Sequence, residues 1–347
     1  MRAAVIEEWG TPLVIRDVPK PVPKHDEVLV RINVTGVCHT DVHQWRGDWP
    51  EDKRVMETNG VSIIGHEGVG TVEGTGADVN DFRTGDRVGI PWMNYWCGGC
   101  EPCLSGYPHY CTKLRFTSEH VNGTFAEYAT ICERATAIVP SQIPDNDAAP
   151  LLCAGLTAYG AVRKLVTELR IPPGKLVAVV GAAGGLGHYA VQIAKAFGYK
   201  VIGVDTGQDR LEFVKRIGAD YSTDASNAEQ VAKSLGGAYA SMVFTPNIRG
   251  YNLSTRLIRA LGSIVVVGLP KATEGPLNLT PAEIVMMGSR IIPSSVGVTH
   301  ELVELYDLYI ENKVKTHLSK VGQLTDINSI LGELTESKYL GRAVVSI

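Results

Sequence analysis

The chain lacks several features that would each set its class. No apolar run reaches the ~20 residues needed to span a bilayer, which excludes a transmembrane helix. No dense run of Lys or Arg occurs and the net charge is −4, which argues against nucleic acid as a partner. The N-terminus, Met1-Arg-Ala-Ala-Val-Ile-Glu-Glu8, turns acidic too soon for a secretory apolar region. Internal repeats and low-complexity tracts are absent too, which excludes a repeat array. What remains is a globular composition of 347 residues, 44% hydrophobic and 20% charged, enough for about two domains. A soluble cytoplasmic protein is expected.

In a reducing compartment, clustered cysteines read as metal ligands before disulfides. Cys97, Cys100, Cys103 and Cys111 form C-x₂-C-x₂-C-x₇-C, with Gly98-Gly99 and Pro102 in the spacers. Such spacers let a loop fold back so that four thiolates meet one tetrahedral ion, a structural zinc. An iron–sulfur cluster is the competing cofactor, although ferredoxin runs end C-x₃-C-P and the last spacer here is longer.

A second concentration of chemistry is Cys38-His39-Thr40-Asp41-Val42-His43, directly after the strand-like Val28–Val34. A lone Cys is most often a small buried hydrophobe. Two distant segments nevertheless carry matching donors: Gly65-His66-Glu67, and Cys153 before Ala154-Gly155. Cys38, His66 and Cys153 would make a Cys₂His zinc site with one open position. Spacing by itself does not show that the three converge. Cys132 is left without a role.

Residues 1–149 alternate short strands, such as Leu13–Val18 and Glu27–Val34, with Gly- and Pro-rich turns, which predicts an antiparallel β-rich domain. From about residue 150 the grammar changes. Leu176–Val180, Lys200–Val204, Ser241–Phe244 and Ser263–Val267 read as apolar strands; His188–Phe197, Gln208–Ile217 and Leu253–Leu261 read as helices. Buried strands alternating with helices predict a doubly wound parallel sheet over 150–290. The remainder, 291–347, holds a helix from His300 to Asn312 and a strand Ala343–Ile347, placed as a return to the first domain.

Gly181-Ala-Ala-Gly-Gly-Leu-Gly187 lies between a predicted strand and a predicted helix. There, glycines let backbone approach a pyrophosphate, and the helix N-terminus supplies unpaired N–H groups. Gly181, Gly184, Gly185 and Gly187 are therefore cofactor-binding candidates. Asp205 ends the next strand, where a carboxylate bonds the adenosine ribose and repels a 2′-phosphate, favouring NAD. Arg210 keeps NADP open.

The sequence resembles the medium-chain zinc-dependent alcohol dehydrogenases, in their fungal and bacterial branch, along essentially its whole length. The motifs that carry the resemblance are Gly36-Val-Cys-His-Thr-Asp41, Trp45-Arg-Gly-Asp-Trp-Pro50, Gly65-His-Glu-Gly68, the four-Cys lobe, Leu152–Thr157, Gly181–Gly187 and Gly341-Arg342. It implies an α/β protein: a discontinuous, GroES-like catalytic domain from both chain ends, a Rossmann domain between, and an active-site cleft where they meet. It places catalytic zinc on Cys38, His66 and Cys153, with Glu67 close enough to exchange onto the metal and Asp41 holding the His66 ring. Thr40 would hydrogen-bond the alcohol oxygen, and His43 would receive the proton through the nicotinamide-ribose hydroxyl. His39 and Arg342 match pyrophosphate contacts, Thr157 and Leu186 line the nicotinamide, and Arg210 lies at the adenosine ribose. Gly268 and Leu269 complete the cofactor set. Trp49 and Trp92 would narrow the alcohol pocket, favouring small primary alcohols. Two zincs per chain, NAD and a homo-oligomer, tetramer over dimer, follow by the same resemblance.

Two segments depart from the family pattern: Glu51–Ile64 is longer and more polar than the usual connection, and Thr245-Pro246-Asn247 is unusual after the fourth sheet strand. The runner-up among enzymes is a polyol or secondary-alcohol dehydrogenase. From another class, a zinc-stabilised nucleotide-binding protein without turnover competes, but it has no use for Thr40 and His43 beside a zinc.

Overall fold

A computed structural model describes residues 1–347 and divides the chain into two compact units. One comprises Met1–Cys153, Val298–Tyr306 and Leu318–Ile347; the other comprises Ala154–Gly297 and Asp307–His317. The sequence puts the first boundary after residue 149 and gives everything beyond 291 to the first unit. Residues 291–297 and 307–317 instead belong with the second, where Lys315 and Gln192 exchange two hydrogen bonds (2.9 and 3.0 Å). No helix is long and apolar enough to cross a membrane.

The first unit is built on one long strand, Glu27–Val37. Its β-branched residues alternate faces and are mostly buried on both. It pairs antiparallel with Gly68–Thr75, with Tyr128–Cys132 and with the C-terminal strand Arg342–Ser346. The last pairing sets Ala343 opposite Val37, so Arg342 is brought beside Cys38 although the two are far apart in sequence. Strand Leu318–Gln323, which the sequence reading misses, runs parallel to the C-terminal strand.

Where the Glu51–Ile64 segment departs from the family pattern, the chain forms a helix, Pro50–Asn59. Pro50 suits its first position, and Gly60 ends it in left-handed backbone (φ 65°). Only Met56 is buried, at 0% exposure, in a cluster with Val42, Ile63, Ile64 and Phe125. One buried residue in ten, with Val55 and Met56 adjacent rather than spaced along one face, is too little periodicity to read as a helix.

The second unit is a six-stranded parallel sheet in the order Tyr221–Asp224, Lys200–Asp205, Leu176–Val180, Ala238–Val243, Ile258–Val266, Arg290–Pro293. Numbered along the chain this is 3-2-1-4-5-6, the dinucleotide-binding order. Leu176–Val180 is buried at every position, as a strand covered on both faces must be. The predicted helix Leu253–Leu261 is displaced: the helix runs Ile248–Leu257, and Ile258 already begins a strand. The unusual Thr245-Pro246-Asn247 supplies its cap, with the Asn247 side chain accepting the Arg249 N–H at 2.9 Å.

Met56 is the single anchor of its helix, and this sets a test. Met56→Ala is expected to destabilise the protein by about 2–5 kcal/mol, whereas Thr58→Ala on the exposed face changes stability by under about 0.5 kcal/mol. Denaturant unfolding of the two variants checks the contrast.

Candidate active site and metal centres

Cys38, His66, Glu67 and Cys153 are all buried, and their ligand atoms lie within 4.8 Å of one another. Cys38 caps the helix His39–Arg46 and follows the long strand directly. His66 and Glu67 precede strand Gly68–Thr75, which pairs with that same strand. Cys153 sits on a π-helical turn, Leu151–Gly155, a local widening common at functional sites. Gly36 is forced: a Cβ there would run into the Glu67 carboxylate.

The surrounding hydrogen bonds orient the donors. Asp41 accepts the Cys38 N–H through Oδ2 at 2.8 Å, while its Oδ1 stands 2.9 Å from His66 Nδ1. His66 Nε2 is buried toward the Cys38 thiol without a well-formed hydrogen bond, and Glu67 Oε1 is buried without one as well. Glu67 Oε2 is paired with the buried Arg342 guanidinium.

These groups perturb one another strongly. A hydrogen bond from Cys153, then those of His66, hold the Cys38 thiol well below its ordinary range against burial. Cys153 is driven well above its range by the same bond and by burial. Burial opposes charge on His66, but Asp41 and Cys38 together carry it well above the usual histidine value. Burial pushes Glu67 up to about 7 against the pull of Arg342. Two thiols, an imidazole and a carboxyl thus share too few protons in a dry space. A divalent cation resolves that conflict by replacing the shared protons, and two S, one N and one O are donors that zinc accepts.

Cys97, Cys100, Cys103 and Cys111 form the second set, again with sulfurs within 4.8 Å of one another. The Cys111 sulfur accepts the N–H groups of Cys97 and Lys113, both at 3.3 Å. Backbone bonds from Gly99 and Cys100 lower the Cys97 thiol, and bonds from Cys103 and Thr112 bring Cys100 down to about 6. Burial holds Cys103 up at about 12. All seven cysteines are unbridged, and four sulfurs facing one point fit a tetrahedral ion. The pattern has no use for Cys132, which packs in the core beside Asp26.

On the helix His39–Arg46, Thr40 and His39 are half-buried and His43 is 3% exposed. Burial and the nearby His43 push His39 down to about 4. Trp49 packs over the His43 ring at 4.4 Å between centroids. Trp92 is stacked on Phe116 at 3.8 Å and 7°.

In the second unit Gly181–Gly187 bridges the first sheet strand and the helix Gly187–Ala196. Gly187 is required because a Cβ would strike the Gly181 carbonyl. Leu186 caps that helix, and Gly185 lies beside it. Asp205 does more than the sequence suggests: its Oδ2 accepts the Ala183 N–H at 2.7 Å, pinning the glycine turn. Arg210 reaches the other carboxylate oxygen at 3.5 Å. Gly268 follows strand Ile258–Val266, packed against Thr245, and Leu269 is exposed. Thr157 is buried on helix Leu156–Thr167.

Sequence reasoning assigns no role to Asp48, which meets His43, or to Glu119, a buried carboxyl that burial and Asp52 push up to about 8. The signal for Asp48 was its place in Trp45–Pro50. Glu119 had none, because nothing in Ser118-Glu-His120 distinguishes a buried acid from a surface one.

Residues 24–145 match the alcohol dehydrogenase GroES-like domain, and residues 185–311 match the zinc-binding dehydrogenase domain. The chain is 39% identical to an alcohol dehydrogenase of Geobacillus stearothermophilus, covering 100% of both chains. It is 38% identical to one of Rhizobium meliloti (strain 1021), covering 100% of this chain and 99% of that one. Among solved structures, the alcohol dehydrogenase of Aeropyrum pernix superposes with a TM-score of 0.89 at 32% identity, covering 100% of each chain. Two gathered donor sets, a dinucleotide-binding sheet and end-to-end likeness to these relatives agree: the chain belongs to the medium-chain, zinc-dependent alcohol dehydrogenases.

Proposed function

We propose that this family member interconverts small primary alcohols and their aldehydes with NAD, using one catalytic and one structural zinc. The observation that carries the reading is the buried Cys38–His66–Glu67–Cys153 set, whose donors outnumber their protein partners. Cys38, His66 and Cys153 would hold the catalytic ion, with Glu67 as a further donor beside it. The four-Cys lobe holds the structural one. When bound, zinc lowers the pKa of the alcohol hydroxyl as a Lewis acid, and the nicotinamide takes the hydride.

The chain's own residues do the rest. Asp41 holds His66 in one orientation through Nδ1 and leaves Nε2 for the metal. Thr40 hydrogen-bonds the alcohol oxygen, and His43 accepts the proton at Nε2, which is buried and has no protein partner. Arg342 keeps a positive charge beside Glu67 and would hold that carboxylate in reserve. Arg342 and His39 also offer contacts to the pyrophosphate. Gly181, Gly184, Gly185 and Gly187 cradle it, Thr157 and Leu186 flank the nicotinamide, Gly268 and Leu269 complete the cofactor set, and Asp205 meets the adenosine ribose beside Arg210. Trp49 and Trp92 wall the alcohol site.

A cytoplasmic homo-oligomer, tetramer over dimer, completes the reading. Supporting it, the six-stranded sheet ends in Arg290–Pro293 with Ile291 exposed, near the exposed Val285 and Met286 of the preceding helix.

Three measurements test this reading. Metal analysis should find two zincs per chain. Cys153→Ser should lose one zinc and all turnover while staying folded, whereas Cys100→Ser should mainly lower Tm, because a structural zinc contributes folding energy directly. One zinc, or iron, in folded wild type contradicts the assignment.

For the cofactor, kcat/KM should favour NAD over NADP by at least ~100-fold, about 2.7 kcal/mol. Asp205→Gly should shrink the ratio and also raise KM for NAD, since Asp205 anchors Ala183 in the glycine turn. A wild type that prefers NADP shows Arg210 outweighing Asp205.

For substrate size, Trp92→Ala and Trp49→Ala should each shift preference from ethanol to longer alcohols, by about 1–3 kcal/mol per methylene newly accommodated. If wild type already favours hexanol over ethanol, the narrow pocket is wrong.

A further inference from the structure

Helix His39–Arg46 ends at Gly47, whose left-handed backbone (φ 67°) reverses the chain. Two backbone bonds close the turn. Gly47 N–H donates to the Gln44 carbonyl at 3.1 Å, and Asp48 N–H donates to the His43 carbonyl at 3.0 Å. Asp48 is therefore tied through its backbone to His43, the residue whose ring its side chain meets. Its Oδ2 lies 2.8 Å from His43 Nδ1. Because the backbone already closes the turn, the carboxylate is not needed to make it.

The ring has little freedom otherwise. It is 3% exposed, under Trp49 at 4.4 Å and against His39 at 5.0 Å between centroids. A carboxylate only accepts hydrogen bonds, so Nδ1 must carry the proton and Nε2 the lone pair. Two other titratable groups also interact with His43: His39 of its own helix and Asp52 of the helix Pro50–Asn59.

We propose that Asp48 is a positioning residue of the alcohol reaction: it selects the Nδ1–H form of His43, aims Nε2 as the proton acceptor, and stabilises the imidazolium once the proton arrives. The step balances simply. The O–H bond of the alcohol breaks, an Nε2–H bond forms, and the ring's new positive charge faces the Asp48 carboxylate. The inference deepens the reading of His43 given above and rests on it. Nothing in the sequence spacing required it, because Gly47-Asp48 reads equally well as an ordinary turn.

The test uses zinc-loaded enzyme with ethanol and NAD across a range of pH, comparing wild type, Asp48→Asn, Asp48→Glu and His43→Gln. Asp48→Asn should lower kcat by about 10- to 100-fold while KM for NAD and zinc content stay near wild type. Its pH profile should depart from that of wild type, because the amide no longer dictates the Nδ1–H form of the ring. Asp48→Glu should recover part of the rate, and His43→Gln should flatten the limb. ¹⁵N spectra of the wild-type imidazole should show the Nδ1–H form, a readout that needs no variant to fold.

If His43→Gln leaves the pH profile unchanged, His43 is not the proton acceptor and the reading of the relay fails, taking the inference with it. If His43→Gln flattens the profile but Asp48→Asn matches wild type in rate and limb, Asp48 merely decorates the turn and the inference alone is overturned. An Nε2–H form in wild type overturns it as well.

Discussion

Four donors held out of water impose the constraint that shapes the catalytic unit. Burying a thiolate, an imidazolium or a carboxylate without compensation is expensive, and Cys38, His66, Glu67 and Cys153 are all buried together. Compensation is built from every direction. Asp41 faces His66 and takes the Cys38 N–H, Arg342 pairs with Glu67, and Gly36 stays bare so that the Glu67 carboxylate fits. Arg342 is delivered by the register of the C-terminal strand against Glu27–Val37, so the chain's end completes a site begun near its start. The electrostatics that leave protons contested also leave His66 Nε2 and Glu67 Oε1 without well-formed hydrogen bonds. Such an arrangement is costly as a core and sensible as a metal seat.

The second Cys set solves a different problem. Its sulfurs lie in a loop with one four-residue helix and few buried side chains, so the lobe has little core of its own. Backbone N–H groups directed at Cys97 and Cys100 favour thiolates before any ion arrives. One buried set with mixed donors and one less buried set of sulfurs alone would suit two unequal jobs, a site able to vary its ligands and a clasp that closes a loop.

Much of this was legible in the residues, for physical reasons. Fully buried strands such as Leu176–Val180 are apolar at every position, and the glycine turn after it is demanded by close backbone approach, so both show in sequence. The four-Cys lobe is local, and its short spacers announce it. Helix Pro50–Asn59 was not legible, because a surface helix anchored by Met56 alone carries no apolar stripe. Tyr221–Asp224 was missed for a related reason: all four of its side chains carry hydroxyl or carboxyl groups, yet the strand pairs at the sheet edge. The Arg342–Glu67 pairing depends on register between distant strands, which no local pattern encodes. Asp205 shows the converse. Its position suggested ribose recognition, while its hydrogen bond to Ala183 gives it a structural task in the same turn.

The central claim is that two chemically distinct zinc sites are assembled by the six cysteines and one histidine named here. X-ray absorption at the zinc edge of the purified protein tests it most directly. Six thiolates shared by two ions give a mean of three sulfurs per zinc, at about 2.3 Å, with the remaining scatterers nitrogen and oxygen including an imidazole pattern. A mean near four sulfurs with no imidazole would mean that only the lobe holds metal, and would contradict the account.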